Sequence, residues 1–121
     1  MTDALWLDWI QWSTTNERLR LHGVNLTPVT TFGVYVIWHG GAVPRVVRVG
    51  QGVVADRLTS HRKDAAVLSY EQSGILYVTW AAVPARLVDG VERYLAERLR
   101  PLVGDRFPQV APVPVNSPFA A

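Results

Sequence analysis

Five basic side chains crowd one short stretch of the chain. Arg45, Arg48, Arg57, Arg62 and Lys63 fall between residues 33 and 63 against a single acid, Asp56, for a local charge of +4, whereas the whole chain carries only +2. Such a concentration is the footprint that a phosphate-binding surface leaves, although a solvated basic face leaves the same one. All but one of the 12 bases are Arg, whose planar fork suits bidentate phosphate contacts. Arg57 and His61 stand at i and i+4, so on a helix both project from one face.

The surrounding sequence predicts the elements that would hold them. Phe32–Trp38 is β-branched and aromatic, His39-Gly40-Gly41 with Pro44 supplies a turn, and Arg45–Gly50 returns, so these residues read as a β-hairpin carrying Tyr35 and Arg48. After Gly50 and Gly52, Val53–Arg62 has helical spacing at Val54 and Leu58. Ile75–Val83 is apolar on both alternating faces and is expected inside the sheet. A helix is expected from Asp89, with Asp89 and Glu92 at capping-box spacing and Val91, Leu95, Leu99 and Leu102 as its buried stripe, ending near Pro101 or Gly104. The tail from Phe107 to Phe119 holds four Pro and is expected to lie extended against the body.

Before the hairpin, Ala4–Trp12 places Leu5, Trp6, Trp9, Ile10 and Trp12 mostly at helical spacings, and Asn16–His22 reads as a second short helix stopped by Gly23. The division that follows is a helical extension over residues 1–31, packed on a domain over 32–121. The expected class is α+β, a small antiparallel three-stranded sheet flanked by helices.

Composition excludes several alternatives. With 49% hydrophobic and 18% charged residues the chain lacks the low hydropathy and high charge of a disordered protein. Zero cysteines exclude a disulfide framework, a Cys-based zinc site and a thiol nucleophile. No apolar run approaches a bilayer span and no basic-then-apolar leader opens the chain, so a cytoplasmic protein without membrane contact is expected.

The order of these features resembles the GIY-YIG nuclease family over roughly residues 32–118. The first tripeptide stands as Gly33-Val34-Tyr35 and the second as Arg48-Val49-Gly50, followed by Arg57 and His61, then Glu92, then Asn116 beyond a Pro. The second motif departs from the family in carrying Arg48 where a Tyr is usual, which replaces a phenol by a fixed cation. The spacing from Pro101 to Asn116 also differs from the common form.

The resemblance implies an endonuclease that hydrolyses phosphodiester bonds in nucleic acid, with DNA expected ahead of RNA. It assigns Glu92 as the ligand of one Mg²⁺ or Mn²⁺, Arg57 as the grip on a nonbridging oxygen, and Tyr35 and His61 as candidate bases. Arg48, Arg45, Arg62, Lys63 and Asn116 are the expected nucleic-acid contacts. A domain of this size commonly gains specificity from a homodimer or a separate partner protein. The competing reading is an inactive binding module of the same fold, in which Arg48 has ended hydrolysis. Each residue also has a plain structural role open to it: Glu92 as a cap residue, Tyr35 as a core aromatic, Asn116 as a turn former, and Trp6, Trp9 and Trp12 as a core edge.

Overall fold

The computed structural model describes residues 5–104 and 106–119. Strands β1 (Phe32–His39) and β2 (Arg45–Val53) form an antiparallel hairpin, and β3 (Leu76–Ala82) pairs antiparallel with the other side of β1, giving the order β2-β1-β3. Val34, Tyr35, Val36 and Ile37 are all buried because both faces of the central strand are covered. Successive residues point to opposite faces. Val34 and Val36 therefore meet Val88, Val91 and Leu95 of helix α3 (Ala85–Leu99), while Tyr35 and Ile37 meet Val54 and Leu58 of α1 (Val54–His61) and Val67 of α2 (Ala65–Leu68). The protein thus has the expected α+β class.

Several expectations need correction. Strand β3 is an edge of the three-stranded sheet, not an interior strand. Its outer side is nevertheless occupied, because the N-terminal segment runs along it: Ile10 N donates to Trp80 O at 2.7 Å, Trp80 N to Ile10 O at 3.1 Å, Leu21 N to Leu76 O at 2.9 Å and Val78 N to Leu19 O at 2.9 Å. The two faces of β3 are packed by the two core layers, Leu76, Val78 and Trp80 beside Tyr35 and Ile37 and Ala81 with Val83 beside Val34 and Val36, which is why it reads as apolar on both.

The second correction concerns the helical extension. Leu5–Trp12 and Asn16–His22 form no helix, and Ala4 lies outside the described residues. Burial alternates along the first stretch instead, with Leu5, Leu7, Trp9 and Gln11 more covered than Trp6, Asp8, Ile10 and Trp12. An unpaired sheet edge offers a row of backbone donors and acceptors, and pairing with it outweighs the helical spacing of these apolar residues. Past α3 the chain meets β2 in the same way, through Leu102 N to Val46 O at 3.1 Å and Val103 N to Val47 O at 2.8 Å.

Helix α3 begins at Ala85 with Pro84 at its N-cap, one turn earlier than expected. Asp89 and Glu92 therefore form no capping box; they lie inside the helix, three residues apart and on one face. The helix ends at Leu99, where Arg100 adopts a left-handed conformation (φ 49°) before Pro101, and Leu102 lies beyond it. No helix among the described residues is long and apolar enough to cross a membrane.

Candidate functional site

Where β2 runs directly into α1, four elements turn polar side chains toward one cleft of about 240 Å³. Tyr35 comes from β1, Arg48 and Gln51 from β2, Arg57 and His61 from α1, and Glu92 from α3. The register explains the first pair: Tyr35 is opposite Gly50 and Ile37 opposite Arg48, so Tyr35, Arg48 and Gly50 share a face of the hairpin. Gly50 has no side chain because the Tyr35 phenol lies over it, and a Cβ there would overlap the hydroxyl. Gly52 adopts φ +124°, a conformation that only glycine takes readily; it turns the strand into the helix and leaves room for the Arg57 guanidinium against the backbone.

The polar groups are linked to one another. The Tyr35 hydroxyl lies 2.6 Å from His61 Nε2, and His61 Nδ1 lies 3.3 Å from Asp64 Oδ2. Across the cleft, Gln51 Nε2 donates to Glu92 Oε2 at 2.6 Å and to Asp89 Oδ1 at 2.5 Å. Arg48 Nε is buried and has no hydrogen-bond partner among the described residues.

Burial sets the proton affinities. It raises the Tyr35 phenol above its usual range, against the opposing pull of the Arg48 guanidinium beside the hydroxyl and of Arg57. It lowers His61, which the Asp64 contact partly counters and Arg48 and Arg57 reinforce, so the imidazole is neutral at pH 7. It raises the Glu92 carboxyl, which is 7% exposed, while Gln51 and Arg48 hold it down. The cleft therefore pairs a protonated phenol with a neutral imidazole able to accept its hydrogen bond.

Glu92 fits a hard divalent cation in the chemistry of its surroundings. Its carboxylate and that of Asp89 converge on one amide nitrogen, so positive charge is already favoured between them. Among the described residues no group of three or more His, Cys, Asp and Glu could hold a metal. An ion at Glu92 would thus draw most of its ligands from water and substrate, as Mg²⁺ commonly does.

The remaining expected contacts lie elsewhere. Arg45 is exposed at the start of β2, lining a separate hollow with Trp38, Pro44 and Phe119. Arg62 follows α1, but its guanidinium donates to Leu21 O at 2.7 Å and Val24 O at 2.6 Å, strapping the N-terminal segment to the helix. Lys63 is exposed beside it. Asn116 is at a seam between the two ends of the chain, where its Oδ1 accepts from Leu7 N at 2.6 Å and its Nδ2 donates to Leu7 O at 2.9 Å. A larger cavity of about 630 Å³ between the N-terminal segment and the turn before β3 contains His22 and Glu71, bonded to each other at 2.6 Å. The convergent polar groups are in the smaller cleft, which therefore has the better claim to chemistry.

Sequence reasoning missed Asp64 and Asp89, and it gave Gln51 no role. The signal for Asp89 was its three-residue spacing from Glu92, read as a cap. That for Asp64 was its three-residue spacing from His61. No family model, curated protein or solved structure matches the chain.

Proposed function

We propose that the protein is a divalent-metal-dependent endonuclease of the GIY-YIG type, hydrolysing phosphodiester bonds in nucleic acid, with DNA favoured over RNA. The observation that carries this reading is the convergence of Tyr35, Arg48, Arg57, His61 and Glu92 on one cleft from four different elements. Two guanidiniums face it, Arg57 exposed and Arg48 half-buried, and both can bind the nonbridging oxygens of a phosphate.

The proton path follows from the hydrogen bond at 2.6 Å between Tyr35 and His61. Tyr35 takes a proton from the attacking water as its own proton passes to His61 Nε2. The water oxygen bonds to phosphorus, the bond to the leaving oxygen breaks, and that oxygen takes a proton from solvent. Arg48 and Arg57 offset the charge that builds on the phosphoryl oxygens. A divalent ion held by Glu92 would supply positive charge to the leaving oxygen. Arg48 stands beside the Tyr35 hydroxyl and resists its protonation, so the replacement of the usual phenol retains an electrostatic role at the same proton.

The test is incubation of the purified protein with duplex, single-stranded and branched DNA and RNA in Mg²⁺ or Mn²⁺, beside Glu92→Ala to exclude a contaminating nuclease. Cleavage by the native protein and none by the variant is the expected outcome. Salt-sensitive binding without cleavage by either protein would establish the binding-module alternative, and neither binding nor cleavage would refute both.

A further inference from the structure

The Tyr35–His61 pair continues to a third residue. Asp64 is the N-cap of α2: its Oδ1 accepts from Ala66 N at 3.0 Å, which pins the carboxylate and leaves Oδ2 facing His61 Nδ1 at 3.3 Å. The separation is at the long end of a hydrogen bond. A carboxylate only accepts, so the proton on a neutral His61 is drawn to Nδ1 and the lone pair is left on Nε2, where the Tyr35 hydroxyl stands. The other tautomer would aim an N–H at the phenol and leave Tyr35 no acceptor.

We infer that Asp64 is a positioning residue of this cleft, fixing His61 in the Nδ1–H tautomer so that Nε2 receives the Tyr35 proton. The inference deepens the nuclease reading and rests on it for its kinetic consequence, while the tautomer itself does not depend on it. A second effect follows from the charges around the ring. His61 is faced by Tyr35 from β1, by Arg48 from β2, by Arg57 and Ser60 from its own helix, and by Asp64 from the cap of α2, with Glu92 of α3 lining the same cleft. The two guanidiniums oppose the imidazolium that forms when the proton arrives, and Asp64, the carboxylate in contact with the ring, offsets them.

The experiment is ¹⁵N NMR of histidine-labelled protein, with His61 assigned against His22 and His39 by its loss in His61→Gln, and cleavage of duplex DNA in Mg²⁺ measured in parallel. In the native protein Nδ1 carries the proton at neutral pH. In Asp64→Asn the α2 cap holds the carboxamide oxygen on Ala66 N, so the amide N–H₂ faces Nδ1 and the tautomer reverses. Asp64→Ser retains a good cap but cannot reach the ring, so the fixed tautomer is lost and His61 titrates at lower pH. In both variants cleavage falls about 10²-fold in kcat with KM little changed, in the range ordinary for proton transfer.

An Nδ1–H tautomer that persists in both variants would overturn the inference whatever the protein cuts. A tautomer that responds as described in a protein that cuts nothing would leave the positioning role standing and remove the nuclease reading. If Asp64→Asn fails to fold, Asp64→Ser decides alone.

Discussion

Asn116 and Arg48 were both expected to contact nucleic acid, and the surroundings of the two side chains separate them. Both ends of the Asn116 carboxamide are committed to the backbone of Leu7, and its own carbonyl accepts from Trp9 Nε1 at 3.1 Å. Arg62 is similarly committed to two carbonyls. In the cleft the polar side chains are bonded to one another or left with unused capacity, as Arg48 Nε is. A residue whose donors and acceptors are all met by backbone holds the fold together. Arg48 Nε has no such commitment to the backbone.

The largest expected difference between the two regions follows from Glu92. Glu92→Gln should lower cleavage about 10³-fold, equivalent to about 4 kcal/mol, while nucleic-acid affinity is kept or rises. Its stability should move the other way. Burial raises the folded-state pKa of Glu92 above 4.5, so its favourable contribution is complete below that value and is lost as the pH rises through the folded value. At neutral pH the ionised group is therefore destabilising, and the variant should melt at higher temperature than the native protein. A lower melting temperature at pH 7 would show that the carboxylate is held as a structural residue.

Tyr35→Phe comes next, with a loss of about 10²-fold in cleavage and about 1–3 kcal/mol in stability, because His61 Nε2 loses its donor inside the fold. His61 gives the same comparison a pH axis. Its folded pKa is depressed below 6.5, so the stability it contributes is present above pH 6.5 and is lost as the pH falls through the folded value. Cleavage should decline over that same acid range as the imidazole loses its lone pair; a rate that rises with acidity there would exclude His61 as acceptor.

At the seam the pattern reverses. Asn116→Ala should cost about 2 kcal/mol in chemical denaturation, from two backbone bonds left unmet, with the cleavage rate of the folded protein unchanged within about twofold. The smallest effects concern binding: Arg57→Ala should reduce the slope of log K against log salt by about 1, and Arg45→Ala by less. Equal changes in the two would mean that nucleic acid spreads over the strand start as well as the cleft.

Much of this arrangement was legible beforehand where local pattern and tertiary demand agree. The hairpin, α1 and the apolar β3 follow from β-branched runs broken by glycine, and the i, i+4 spacing of Arg57 and His61 placed both on the cleft. Leu5–Trp12 was misread because apolar residues at nearly every position satisfy a helix and a strand equally well. The partner that decides between them, the free side of β3, comes some seventy residues later. Asp89 and Glu92 were misread for a related reason: the three-residue spacing that makes a cap at a helix start aligns two carboxylates on one face further in. The roles of Asn116 and Arg62 depend on contacts with Leu7, Leu21 and Val24, which no spacing rule connects to them.

On the proposed function, phosphodiester chemistry belongs to the polar cleft and not to the seam. The most direct measurement is cleavage of labelled duplex DNA in Mg²⁺ by the native protein, Glu92→Gln and Asn116→Ala, prepared identically and each shown to be folded. Native-like cutting by Asn116→Ala with a loss of about 10³-fold in Glu92→Gln is the predicted result. Cutting by Glu92→Gln at a rate near that of the native protein, or cutting lost in a folded Asn116→Ala, would contradict it.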